Sequence, residues 1–167
     1  MHPNPALRAT PTEQNRAFAQ ARGFGMLTIN GPDGPLIAHV PFLLLRDDCL
    51  TLHLARSNPI ARAALPAPAV MAVSGPDAYI SPDWYGAEDQ VPTWNYVAVH
   101  LRGTLAPLPD DALREQADGL SKLFEDRLRP KTPWTSDKMT PGVMERMMRS
   151  ILPFRLTITD VQGTWKL

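Results

Sequence analysis

Two stretches of the chain gather side chains able to hold a ligand. Across His53-Leu54-Ala55-Arg56-Ser57-Asn58-Pro59 a guanidinium, a hydroxyl and a carboxamide follow one another where a strand gives way to a predicted helix. A cation, two hydrogen-bonding groups and the free N–H groups of a helix N-terminus make an anion site, and phosphate is the common occupant. Read on their own, the same residues are better described as a helix cap, Asn58, beside a solvated charge, Arg56. From Pro76 to His100 the chain holds all three Tyr and two of its four Trp, broken up by prolines and running into an alternating segment. Aromatics with polar tips on stiff backbone form a pocket wall on which a planar ligand can stack. The bland alternative is a proline-rich loop whose aromatics cover a core. Within it, Thr93-Trp94-Asn95-Tyr96 opens a strand, so Trp94 and Tyr96 share one face and Thr93 and Asn95 the other. The four side chains cannot all meet one ligand. Trp84 and Tyr85, just before, read either as a lid or as packing.

A third segment, Ala38-His39-Val40-Pro41-Phe42, puts a proline inside a strand, where its missing N–H marks an edge or a bulge. Such an edge admits a flat ring, although His39 alone reads as a hydrogen-bonded core histidine. Other chemistries are poorly served. His39, His53 and His100 fall on separate predicted strands without Cys or carboxylate partners at ligand spacing, which argues against zinc. The single Cys49 follows Asp47 and Asp48, acids that raise a thiol pKa. There is no Ser-His-Asp arrangement, no Walker-type phosphate loop and no dinucleotide glycine fingerprint. Met139, Met144, Met147 and Met148 read as helix core, adaptable enough for a dimer contact.

These residues need elements to position them. Thr10 as N-cap, Pro11 in the first turn, Glu13 and the stop at Gly23 predict a helix over 11–22. Apolar, β-branched segments over 24–30, 36–45 and 50–55, parted by Gly31-Pro32-Asp33-Gly34 and Arg46-Asp47-Asp48, predict an antiparallel meander. A short helix is expected over 58–65, capped by Asn58 with Pro59 in its first turn. Strands are expected over 69–74 and 93–106. Asp110 then caps a helix whose stripe is Leu113, Ala117, Leu120, Leu123 and Phe124. A loop over 127–137, a helix from Thr140-Pro141 to Ile151 and an alternating strand over 154–161 complete the chain. Six or seven strands with two or three peripheral helices predict a mainly β fold, a small antiparallel barrel.

Composition agrees with one domain over 1–167. The 167 residues are 44% hydrophobic and 20% charged, and no apolar run approaches the ~20 residues of a membrane helix. The N-terminus lacks the regions of a secretory signal, and one cysteine forms no intrachain disulfide, so the cytoplasm is expected. Seventeen basic residues balance seventeen acidic ones, whereas a dedicated nucleic-acid binder carries a basic excess. Eighteen prolines are about twice average usage and imply stiff turns and edge strands.

Several multi-residue words in order point further. Ala78-Tyr79-Ile80-Ser81-Pro82-Asp83-Trp84-Tyr85 and Val91-Pro92-Thr93-Trp94-Asn95-Tyr96-Val97-Ala98-Val99-His100 resemble the signature of the PaiB-type family, the FMN-binding negative transcriptional regulators. Gly25-Met26-Leu27-Thr28, Ala38 to Phe42, His53 to Pro59 and Gly163-Thr164-Trp165-Lys166-Leu167 fall in order around them. The resemblance runs from about Pro11 to the last residue. It implies an FMN-binding split barrel, dimeric, with FMN at the subunit interface. It assigns Arg56, Ser57 and Asn58 to the phosphate, the backbone of His39, Val40 and Pro41 to the flavin ring, and Thr93, Trp94, Asn95 and Tyr96 to the flavin across a dimer interface. DNA enters as a partner through the family label alone, since no helix-turn-helix is legible. Family members continue into a polar, basic tail and a further helix, which the resemblance implies are missing here. A flavin-dependent oxidoreductase with His39, His100 or Tyr96 as proton donor, and a haem-handling barrel with His53 or His100 as axial ligand, are the alternatives on the same fold.

Overall fold

The computed structural model of the chain describes residues 1–45, 48–86 and 88–167. Seven antiparallel strands form one sheet in the order β2-β1-β5-β6-β7-β4-β3. These are β1 (Phe24–Gly31), β2 (Gly34–Pro41), β3 (Leu43–Leu44), β4 (Cys49–Ala55), β5 (Ala67–Ile80), β6 (Thr93–Pro107) and β7 (Ile151–Lys166). β2, at one end of the order, also approaches β4 near the other, so the twisted sheet curls into a barrel with an unbonded seam. The fold is the antiparallel split barrel expected from the sequence. Alternation builds its core: Leu27 and Ile29, Leu50, Leu52 and Leu54, Met71 and Val73, Val97, Val99 and Leu101, and Leu156 and Ile158 all point inward and are buried.

Three helices lie outside: α1 (Thr12–Arg22), α2 (Ala112–Glu125) and α3 (Val143–Met148). Gly23 ends α1 in the left-handed conformation, φ 59°, its N–H returning to the Ala19 carbonyl as the sequence predicts. The start differs by one position, with Pro11 at the cap and no side-chain cap bond. The Thr10 carbonyl instead receives the Asn15 side-chain amide at 3.1 Å. α2 is capped at Asp111, not Asp110, and buries Leu113 and Leu120 as its stripe requires. Phe124 reaches across to the Gly23 turn, where Arg127 lies 4.6 Å from its ring centre.

Five expectations change. The strand expected over 36–45 breaks at Phe42, whose N–H bonds the Gly23 carbonyl while Leu43 and Leu44 pair with β4. Pro41 is the physical reason, since it cannot donate to a ladder. The helix expected over 58–65 is only a 3-10 turn, Ile60–Arg62, after which Ala63 is already extended. Pro66 disfavours helical backbone at Leu65. The strand expected over 69–74 runs on to Ile80 across a bulge between Ser74 and Asp77, and the last strand spans 151–166. The methionine helix buries no residue, and Met147 is 60% exposed. The Arg46-Asp47-Asp48 turn falls largely outside the described residues. Among them no helix is long and apolar enough to cross a membrane.

Candidate functional site

Arg56 leaves the end of β4, held by its own N–H on the Ser150 carbonyl at 2.9 Å. Its guanidinium donates Nε to the Arg149 carbonyl at 2.7 Å and reaches Asp110 Oδ2 at 3.3 Å. Both side chains of that ion pair are exposed, so the pair contributes little and an incoming anion can displace it. Asn58 is committed locally: its Oδ1 accepts the Ile60 N–H at 2.9 Å. The helix N-terminus expected to complete an anion site is not formed, because a single 3-10 turn stands in its place. Another cation joins instead. Arg62, on that turn, donates Nε to the Arg56 carbonyl at 3.2 Å and shares with Ser57 the wall of a cavity of about 620 Å³. The β1–β2 turn, from Asn30 to Leu36, forms the opposite wall. Arg62 was missed in the sequence, although it lies one helical turn beyond Asn58.

His39, Val40 and Pro41 close β2, which stands at an end of the sheet order as the proline implies. His39 is exposed, against the reading of a core histidine, whereas Val40 is 6% exposed and belongs to the core. Val40 can therefore meet a ligand only through its backbone. Register places His39 beside Met26, Met26 beside Ala72, Ala72 beside His100 and His100 beside Gln162, one row across the outer face. Burial, followed by the α-amino group and Arg102, holds the His100 imidazole below its ordinary range. Its Nδ1 has no partner among the described residues.

Thr93 to Tyr96 open β6 on a hairpin that projects beyond the barrel. Trp94 pairs across the ladder with Tyr79, and Tyr96 with Asp77 on one side and Lys166 on the other. Trp94 and Tyr96 continue the outer face of Ala98 and His100, while Thr93 and Asn95 continue the inward file of Val97 and Val99, as alternation requires. The Tyr79 ring lies edge-on to Trp94 at 6.2 Å and to Trp84 at 6.5 Å. These aromatics stay open to solvent, Trp84 at 69% and Trp94 at 56%, so they do not cover a core. The Lys166 ammonium bonds the Thr93 hydroxyl. Lys166 belongs to a family-like word, but only the ladder reveals its contact.

The structure does not bring the Arg56 corner and the 93–96 segment together within one chain. Ala55, next to Arg56, pairs with Ile151 at the start of β7, and Tyr96 pairs with Lys166 at its end. Fifteen residue steps of strand amount to roughly 50 Å of backbone path, much longer than an extended FMN. Among the described residues no group of His, Cys, Asp or Glu is placed to hold a metal ion.

Known proteins share this architecture. The FAD and heme binding protein from Mycobacterium smegmatis superposes with a TM-score of 0.68 at 19% identity, covering 96% of this chain and 73% of that one. The flavocytochrome Anf3 from Azotobacter vinelandii does so with a TM-score of 0.68 at 16% identity, covering 100% and 72%. At such identities the likeness speaks for the fold alone. Sequence goes further: Protease synthase and sporulation protein PAI 2 of Bacillus subtilis (strain 168) is 32% identical over 165 residues, 96% of this chain and 78% of that protein. A family model described as "Putative FMN-binding domain" matches residues 1–160. With the split barrel and the ordered words of sequence on one chain, the protein belongs to this FMN-binding domain family.

Proposed function

We propose that the protein is a homodimer that binds FMN in two composite sites. Each site takes the phosphate at the Arg56 corner of one subunit and closes over the flavin ring with residues 93–96 of the other. The observation that carries the reading is the corner itself: Arg62 and Ser57 line a cavity of about 620 Å³, a size suited to a cofactor, and Arg62 Nε holds the backbone carbonyl of Arg56, whose own guanidinium is tethered, among the described residues, only by the Arg149 carbonyl and an exposed, displaceable pair with Asp110. That cluster fits a phosphate dianion, Arg by its paired donors and Ser by its hydroxyl. Asn58 serves it indirectly, by fixing the turn that carries Arg62. The exposed end of β2 offers backbone groups to the ring edge, and Trp94 and Tyr96 offer stacking surface on the outer face. The separation of the corner from the 93–96 hairpin along β7 supports the dimer.

Bound FMN supplies one- and two-electron redox chemistry; the residues named here bind and orient it. Whether that capacity serves a sensor in gene regulation, as the kinship with PAI 2 suggests, or an oxidoreductase is separated by NAD(P)H consumption. The binding claim is tested by titrating wild type and Arg56→Ala with FMN and with riboflavin. A charge-assisted hydrogen bond is worth roughly 1.5–3 kcal/mol, so FMN should bind about 10- to 100-fold more weakly and riboflavin almost as before. Equal losses for the two ligands would remove Arg56 from the phosphate site.

A further inference from the structure

The balanced net charge of the chain conceals two poles. No lysine or arginine stands between Arg62 and Arg102, while residues 76–95, the projecting ends of β5 and β6 with the turn that joins them, carry four acids. Asp77, Asp83, Glu88 and Asp89 are all exposed, and none makes an ion pair among the described residues. Trp84, Tyr85 and Val91 stand open to solvent among them. Residues 127–155 form the opposite pole, with seven bases against two acids. There Glu145 already meets Arg114 at 3.6 Å. Arg146 on α3 and Arg149 at its C-cap are exposed, share one side of the helix and make no ion pair among the described residues. The exposed Met147 lies between them. Aromatic anchors ringed by one sign of charge, and an adaptable methionine ringed by the other, are the parts of a protein interface.

The two poles lie apart within one chain. Arg149 belongs to the Arg56 corner, where its carbonyl accepts from Arg56 Nε at 2.7 Å, and the hairpin rises from the other end of β7, where Tyr96 pairs with Lys166. Two copies can bring them together, and a two-fold dimer makes the same contact twice. We propose that the acidic, aromatic tip of each subunit docks on the α3 face of its partner, with Asp83 and Glu88 toward Arg146 and Arg149 and Trp84 against Met147. The inference rests on the composite flavin site, to which it adds the contact that fixes the closing hairpin beside the phosphate corner.

Sedimentation equilibrium of the full-length protein without flavin decides it. Wild type is compared with Asp83→Lys/Glu88→Lys, with Arg146→Glu/Arg149→Glu and with all four changes combined, every one at an exposed position. Each reversed pair sets like charges against each other and should raise the dimer dissociation constant by about tenfold or more. In the combined variant the poles are exchanged but again opposite, so the constant should return to within about threefold of wild type. Wild-type association in either reversed pair, or a combined variant as weak as the pairs, would overturn the proposal. A wild-type protein that is itself monomeric would remove the composite flavin site as well, whereas a dimer indifferent to the reversals removes this contact alone.

Discussion

Gly163 on β7 has no room for a side chain. A Cβ there would stand 2.0 Å from Asn15 Oδ1 and 2.5 Å from Asn15 Cγ. Asn15 cannot retreat, because its buried amide ties α1 to the sheet: Nδ2 donates to the Thr10 carbonyl at 3.1 Å, and Oδ1 accepts from Trp165 Nε1 at 2.8 Å. Trp165 in turn meets Phe18 of the same helix edge-on at 5.4 Å. Gly163→Ala should therefore destabilise the fold by about 1–3 kcal/mol, the range for an overpacked site, and more if the Asn15 bonds break. Urea denaturation measures this; a variant as stable as wild type would show that the contact relaxes freely. The words of sequence around Gly163 were legible as a family signature, but the reason for the glycine was not. The Asn15–Trp165 contact spans 150 residues, and nothing local in the chain announces it. Asn58 shows the converse: its capping role is local and was readable, because an Asx side chain bonds the backbone two residues ahead.

At the scale of elements, the junction of β4 and α2 carries a pH response. His53 points from the outer face of β4 toward Gln116; burial lowers its pKa, and the Gln116 hydrogen bond offsets this only in part. A lowered folded-state pKa means that the unfolded chain binds the proton first, so stability is full above the ordinary value of 6.5 and falls as pH drops below it. His100 acts in the same direction. The depressed carboxylates Asp118, Glu125 and Asp126 are lost only below the ordinary carboxylate range, which separates the two windows. Denaturation midpoints should decline from pH 7 to pH 5, and His53→Gln should flatten part of that decline. An unchanged slope in the variant would mean that His53 does not charge on unfolding in this window. Strand positions were largely legible, since period-2 alternation survives in β1, β4, β6 and β7. What failed were continuities, at Phe42 and after Asn58, where one proline or a distant hydrogen bond outweighed local pattern. Gln116 was hidden for another reason: it lies on a helix face read only for its apolar stripe.

On the scale of the whole molecule, sheet order decides what can meet. The pairings of β1 with β5 and of β4 with β7 join segments remote in sequence, and alternation cannot specify them. They set the Arg56 corner and the 93–96 hairpin at opposite ends of β7, a separation that no list of motifs contains. The composite site makes a prediction that a site within one chain does not. Arg56→Ala and Trp94→Ala, each exposed and each expected to fold, should weaken FMN binding as separate homodimers. In a heterodimer of the two, both lesions fall in one site and the other is assembled from two intact halves. Mixing differently tagged variants, isolating the heterodimer and titrating it should recover wild-type affinity at one FMN per dimer. If each site lay within a single chain, every site in the heterodimer would carry one lesion and no tight binding would return. A species that remains monomeric by light scattering at micromolar concentration would refute the arrangement before any flavin is added.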